Sequence, residues 1–120
     1  MTDADLEAIL KQALPGRAFL MLAPQGFAEP YLIFQRIWWG PENSLCGYME
    51  GDHVRYQIDS YARTHKEAAA NMDAALAALR ASSDPPNVET GGDLFEQDTK
   101  LHRTTVNIIT WFDPQEGVSP

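Results

Sequence analysis

The chain has 120 residues, 44% of them hydrophobic, and its 17 acidic and 9 basic side chains give a formal net charge of −8. A chain of this length is expected to form one domain over residues 1–120 and to bury its own core without disulfides or metals. The acidic balance argues against nucleic-acid binding as the main function, and no apolar run approaches the ~20 residues of a membrane-spanning helix.

The first predicted element is a helix that ends before Pro15-Gly16. Thr2 and Asp3 are alternative N-caps, and Asp5 falls in the first turn, where the helix dipole favours a negative charge. Apolar residues follow at the spacing of one helix face. They are Leu6, Ile9, Leu10, Ala13 and Leu14.

Two strands joined as a hairpin are predicted next. Residues 19–23 form a short apolar run that fits either a buried strand or an extended packing segment. Residues 31–39, rich in aromatic and β-branched side chains, and residues 54–61, which alternate with period two, are predicted strands. Residues 40–53 between them contain three glycines and one proline. This composition predicts an extended antiparallel hairpin whose tip projects from the body.

A second helix follows the strand at 54–61 directly. It opens with a capping box, in which the Thr64 hydroxyl can accept from the N–H of Glu67 and the Glu67 carboxylate can reach back to the N–H of Thr64. Apolar residues then recur with a 3.6-residue period, and Leu76 lies in the middle of the stripe. The stripe consists of Ala68, Met72, Ala75, Leu76 and Leu79.

The remaining elements complete an α+β pattern. Residues 81–93 contain acidic and turn-forming side chains without Lys or Arg, which predicts a solvated loop or, alternatively, a recruitment surface. Residues 94–97 are predicted to form a short strand and residues 101–112 a long one. The order α-β-β-α-β-β predicts an antiparallel sheet of about four strands with two helices packed on one face.

The sequence shows no recognisable catalytic or metal-binding motif. His53, His65 and His102 lack the spacing of metal ligands, and Cys46 has no neighbouring base that would activate it. Two pairs of carboxylates lie in polar stretches, where such groups mostly keep a loop solvated. These pairs are Glu50 with Asp52 and Asp93 with Glu96. We therefore expect no catalytic residue, no metal site and no cofactor.

The positive functional signal is a group of large apolar residues on or beside the hairpin tip. Trp, Tyr and Met are enriched in protein–protein interfaces, so these residues are candidates for a subunit or partner contact. The group consists of Trp38, Trp39, Leu45, Tyr48 and Met49. The alternative is structural: Trp38 caps the core and Trp39 covers the loop. The residues alone leave both interpretations open.

Several segments resemble the tail-completion proteins of long-tailed bacteriophages, a family similar in size and order to the tail terminators. They are P-Y-L-I-F-Q-R-I at 30–37, V-R-Y-Q-I-D-S-Y-A at 54–62, the Thr64 cap with Glu67-Ala68, and the closing T-W-F at 110–112. The resemblance covers residues 30–112 and includes no catalytic signature.

The resemblance implies an α+β subunit that forms a ring, expected to be a hexamer, at the head-proximal end of a phage tail. Such a ring would end tube growth and join the tail to the head, with tail-tube and head-connector proteins as partners. DNA would pass through it without specific binding. The expected location is the virion tail, with assembly in the host cytoplasm, in a phage, a prophage or a tail-like particle.

Two other functions fit the residues. One is a small ligand-binding or enzymatic α+β domain that acts as a dimer and has a deep pocket around His102 and Arg36. The other is a cytoplasmic adaptor that uses residues 81–93 to recruit a basic partner.

Overall fold

The computed structural model describes residues 2–44 and 47–112, with the backbone alone at 38–44, 47–52, 90, 111 and 112. Two helices and five strands follow one another in the order α-β-β-β-α-β-β, which confirms the α+β class. The elements are α1 (Asp3–Ala13), β1 (Ala18–Leu20), β2 (Tyr31–Ser44), β3 (Gly47–Ala62), α2 (His65–Arg80), β4 (Asn87–Glu96) and β5 (Leu101–Phe112).

The strands form one sheet in the order β1-β2-β3-β5-β4. The three pairings among β2, β3, β5 and β4 are antiparallel, and β1 pairs with β2 in parallel. The predicted count of about four strands was therefore too low. The additional strand lies at the start of the apolar run at 19–23, and a strand of three residues is too short to show a period in the sequence.

Both helices cover one face of the sheet, which we call the inner face. Alternate side chains of β3, such as Val54, Tyr56 and Ile58, point into the core between sheet and helices. The prediction of two helices on one face is thereby confirmed. The buried apolar cluster consists of Leu6, Leu10, Leu14, Ala18, Leu32, Phe34, Val54, Tyr56, Ile58, Met72, Ala75, Leu79, Val106 and Ile108.

Hydroxyl side chains cap both helices. At α1 the cap is Thr2, whose Oγ1 accepts from the N–H of Asp5 at 3.1 Å, while the Asp5 carboxylate accepts from the N–H of Thr2 at 2.9 Å. At α2, Thr64 Oγ1 accepts from the N–H of Glu67 at 3.1 Å, which is the first of the two bonds predicted there. These bonds satisfy N–H groups that the first turn of a helix leaves without a partner.

The β2–β3 hairpin extends beyond the rest of the sheet. Its pairing continues to Ser44 opposite Gly47, whereas β5 pairs with β3 only as far as Asp52. The predicted connection at 40–53 is thus mostly strand, and what remains of it, residues 45–46, lies outside the described residues. A register shift between Arg36 and Trp38 interrupts the simple alternation that the sequence suggested for this strand.

The structure corrects the prediction of an acidic loop over 81–93. Residues 87–93 belong to β4, which pairs with β5 along its length. This strand could not be recognised from the sequence because no helix covers it. Its side chains therefore show no alternation of apolar and polar types. Gly91 also fits here for a steric reason, since a Cβ atom would lie 3.3 Å from Cγ2 of Val106.

The packing of α2 gives a test of stability. Leu79 is 1% exposed, whereas Leu76, predicted to be central, packs only partly against the core. Leu79→Ala should therefore lower the free energy of unfolding by about 2–5 kcal/mol, with a smaller loss for Leu76→Ala. Thr64→Ala should cost ~1 kcal/mol through its lost cap. Urea unfolding measures all three, and a larger loss for Leu76→Ala than for Leu79→Ala would contradict this packing.

Candidate functional site

The titratable side chains brought together by the fold make structural contacts. His65 and His102, which are far apart in sequence, have ring centroids 6.3 Å apart, and the Phe95 ring lies 4.9 Å from that of His102. His65 Nε2 is 3.1 Å from a carboxylate oxygen of Asp93, and the Thr104 hydroxyl donates to the other oxygen. These hydrogen bonds, that of His65 first, lower the pKa of Asp93. The cluster joins the start of α2 to β4.

Within residues 2–44 and 47–112, no group of three His, Cys, Asp or Glu side chains could hold a metal ion. A cavity of about 560 Å³ lies between α1 and the residues after α2, with Asp5, Gln12 and Ser82 in its wall. Arg36 and His102 do not line it, so this cavity is not the pocket that the ligand-binding alternative predicted. None of the helices in the described ranges is long and apolar enough to cross a bilayer.

A polar contact fastens α1 to the inner face of the sheet. The Tyr56 hydroxyl and the Arg36 guanidinium both donate to Oδ1 of Asp3, the latter at 3.0 Å. Burial alone would raise the pKa of Asp3, but the bonds from Tyr56 and Arg36 and the charge of Arg36 outweigh it and lower the pKa. Burial and the bond to Asp3 raise the pKa of the Tyr56 hydroxyl. The contact therefore favours an ionised Asp3 and a neutral Tyr56.

The opposite face of the sheet, which we call the outer face, has no helix on it and is organised by charged and aromatic side chains. Asp59 is only 3% exposed, and its Oδ1 accepts from Nε of Arg103 at 3.0 Å. Arg103 lies 5.9 Å from the centre of the Tyr61 ring, and burial raises the pKa of Tyr61 to about 12. Gln57 Nε2 also donates to the Asp59 carboxylate at 3.1 Å, so removal of Arg103 would leave a buried charge with only a neutral donor.

The connection between β1 and β2 folds onto one corner of the outer face. Phe27 packs edge-on against Phe19 and Tyr31, with ring centroids 4.8 and 6.2 Å apart. Arg17 donates to the carbonyl oxygens of residues 28 and 30, and its guanidinium lies 5.1 Å from the Phe27 ring. The connection is therefore anchored at both ends and fixes the turn that follows β1.

Exposed apolar side chains concentrate at the two edges of the sheet. We call Leu20, Met21 and Leu22, at the end of β1, the β1-edge patch. We call Val88, Leu94 and Phe95 on the outermost strand the β4-edge patch, in which Leu94 lies on the outer face and the other two on the inner face. All six side chains are exposed. Sequence reasoning missed both patches: the first lay in a run interpreted as buried or packing, and the second fell partly in a segment interpreted as a loop.

The interface residues predicted from the sequence all belong to the hairpin. Trp38 and Trp39 lie in β2, opposite Arg55 and Val54 of β3, and Tyr48 and Met49 lie in β3. Their side chains, like Leu45 as a whole, lie outside the described part of the chain. The interface they were predicted to form remains a prediction.

Comparison with known proteins identifies a protein family and a structure with the same fold. The family model described as "Tail completion protein gp17" matches residues 1–113. A chain of the structure described as "Virion of native gene transfer agent (GTA) particle" aligns with a TM-score of 0.63 and 15% identity, covering 88% of this chain and 84% of that one. At this identity the structural likeness shows a shared fold. The comparison with curated protein sequences gives no match.

The contact of Asp3 with Tyr56 predicts a specific loss of stability. Tyr56→Phe removes a hydroxyl that donates to a partly exposed carboxylate and should lower the free energy of unfolding by about 1 kcal/mol. Tyr61→Phe is the matched control, because this hydroxyl donates no hydrogen bond within the described residues. Chemical denaturation compares the two, and equal losses would mean that the bond to Asp3 contributes nothing.

The lowered pKa of Asp3 predicts a pH dependence of stability. Because the carboxyl ionises more readily in the folded chain, it stabilises the fold at pH values above its unfolded pKa of about 3.9. This contribution disappears as the pH falls through the lower, folded pKa. The stability advantage of wild type over Asp3→Asn should therefore shrink on acidification below about pH 4. An advantage that is constant or grows in acid would contradict the assignment.

Proposed function

We propose that this chain, which belongs to the tail completion protein gp17 family, forms a ring at the head-proximal end of a phage tail, ends growth of the tail tube there and joins the tail to the head. Membership of that family makes the chain a structural protein of phage tails. The observation that supports the proposal most strongly is the extent of the match, which includes every helix and strand described above. The fold shared with a chain of a gene transfer agent virion is consistent with it.

The β2–β3 hairpin is the proposed contact with a neighbouring subunit or partner. The part of the hairpin beyond Asp52 has strand partners only within itself among the described residues, because β5 and β1 do not reach that far. A two-stranded ribbon alone is marginally stable in water, so this part would gain order from packing against a second protein. The proposed contact residues are Trp38, Trp39, Leu45, Tyr48 and Met49.

A ring places two different surfaces of each subunit in contact with each other. Such heterologous contacts generate a closed ring when the rotation between neighbouring subunits divides 360° evenly. The proposed assembly is a hexamer. Tail-tube and head-connector proteins would bind its two rims. This arrangement requires no catalytic group, and the contacts of His65, His102 and Asp93 described above are structural.

The charge of the subunit suits a passage for DNA. With a formal net charge of −8, each copy adds to a negative field that repels phosphates along a shared channel. A genome in such a channel would slide without binding specifically. The proposal therefore includes DNA as cargo that passes through the ring and excludes it as a ligand.

Shortening the hairpin tests the assembly role. Replacing residues 41–52 by Asn-Gly retains the pair Gly40–His53 and the β3–β5 pairs beyond it. The variant should fold, with a circular dichroism spectrum that differs only by the loss of these strand residues, but should neither form rings nor cap tail tubes. Sedimentation and negative-stain electron microscopy with purified tube protein measure both properties. If the shortened chain still forms rings, the hairpin is not part of the subunit interface.

A second variant separates side chains from backbone. Replacing Leu45, Tyr48 and Met49 together by serine preserves the length of the hairpin and should also abolish assembly, because the apolar contact is lost. A deletion of residues 83–90 is not a suitable control, since it would remove the first residues of β4. Lys66→Ala, on the exposed first turn of α2, is the better control and should assemble normally.

A further inference from the structure

We infer that neighbouring copies of this chain also meet through opposite edges of the sheet, with the β1-edge patch of one copy seated on β4 of the next. The occupant of each edge is a second copy of the chain. This inference rests on the proposed ring, because a head-to-tail assembly is what joins two different surfaces of one protein. It adds a lateral contact to the one proposed for the hairpin.

The topology places the two patches where a closed ring needs them. β1 and β4 are the outermost strands, with three strands between them. The patches therefore lie on opposite sides of the subunit, and neither is available to the other within one chain. A heterologous interface pairs two such surfaces of different shape. A two-fold dimer would instead pair one patch with its own copy.

The β1-edge patch has a defined, projecting shape. Met21 has a φ of +67°, a left-handed conformation that is uncommon for a residue with a side chain. Its N–H donates to the carbonyl of Phe34, and the N–H of Leu22 donates to that of Leu20, both at 2.8 Å. The turn therefore holds Met21 and Leu22 out from the sheet, with 66% and 78% of their surface exposed. An isolated subunit gains nothing from exposing both.

The β4 edge provides a complementary depression. A hollow of about 180 Å³ lies on the outer face, lined by Gly91, Gly92, Leu94, Thr105 and Asn107. It exists because Gly92, which pairs with Thr105, has no side chain on this face, and a Cβ atom there would meet nothing within 4 Å. Leu94 at its margin is 51% exposed. An aliphatic side chain from outside can enter this hollow and contact Leu94.

The charges around the two surfaces are of opposite sign. Residues 17–28 contain one charged side chain, Arg17, and its partners in the described part are carbonyl oxygens and the ring of Phe27 rather than a carboxylate. Residues 87–99 contain four acidic side chains and no Lys or Arg. Glu89 and Asp93 are paired within the subunit, whereas Oε1 of Glu96 is buried without a hydrogen-bond partner among the described residues. Bringing the edges together would place the Arg17 guanidinium near an acidic stretch that contains no Lys or Arg.

Disulfide trapping tests the contact between copies. In a Cys46→Ser background, Leu22→Cys and Leu94→Cys change two exposed residues and should leave the fold intact. On mild oxidation, a mixture of the two single variants should give a cross-linked dimer, while neither variant alone should. The double variant should give a ladder of cross-linked species that ends at the ring. Circular dichroism confirms that each variant is folded.

The outcomes separate this inference from the proposed function. Rings that form without any cross-link between residues 22 and 94 would overturn the edge contact and leave the ring intact. Cross-linking of Leu22→Cys with itself would indicate a two-fold contact and would also overturn it. If Leu94→Cys is shielded from a thiol-labelling reagent only when tube or connector protein is added, the hollow binds that partner. This result would overturn the contact between copies. If neither rings nor cross-links form with tube protein present, the proposed function itself fails.

A charge substitution gives an independent test. Leu22→Glu would place a negative group against the acidic β4 edge, whereas the matched variant Leu22→Lys would place a positive group there. The concentration for half-maximal ring formation should be at least about tenfold higher for Leu22→Glu than for Leu22→Lys, with a smaller difference in high salt. Equal concentrations for the two variants would show that residue 22 does not face β4.

Discussion

Every other described element is held, directly or through one neighbour, by the central strand β3. Its backbone pairs with β2 on one side and with β5 on the other, and those strands carry β1 and β4. Its inward side chains Val54, Tyr56 and Ile58 belong to the buried core on which both helices pack. Tyr56 also binds the first turn of α1 through Asp3. One strand therefore determines the position of each layer, and burial of its inner face is the main source of stability.

This one-sided burial limits which apolar side chains the subunit exposes. The helices cover the inner face, so the surfaces that remain are the outward sides of the helices, the outer face, the two edges and the hairpin beyond β5. The outer face carries ion pairs such as Asp59 with Arg103, which satisfy charge inside the subunit. The edges instead expose apolar side chains. Because contiguous exposed apolar side chains mark contact sites, we propose the edges, together with the hairpin, as the surfaces that meet neighbouring subunits.

The sequence predicted the parts of the fold in which local pattern and burial agree. The stripe of α2, its cap at Thr64 and the alternation of β3 all reflect a covered face, and all are present. The sequence pattern did not predict β1, which is too short to show a period, or the first part of β4, which no helix covers. The patches at Leu22 and Leu94 were missed for the same reason. Their position at opposite edges follows from strand order, which a single sequence does not encode locally.

We propose that this protein assembles through its sheet edges and hairpin, with its helices facing away from neighbouring subunits. Hydrogen exchange measured on the isolated subunit and on the ring at a tube end tests this most directly, since buried amides exchange more slowly. Under this proposal, protection should appear in β4, in residues 20–22 and along the hairpin. The exposed sides of α1 and α2 should show no change in exchange. Protection confined to the helices, with β4 and the hairpin unchanged, would contradict it.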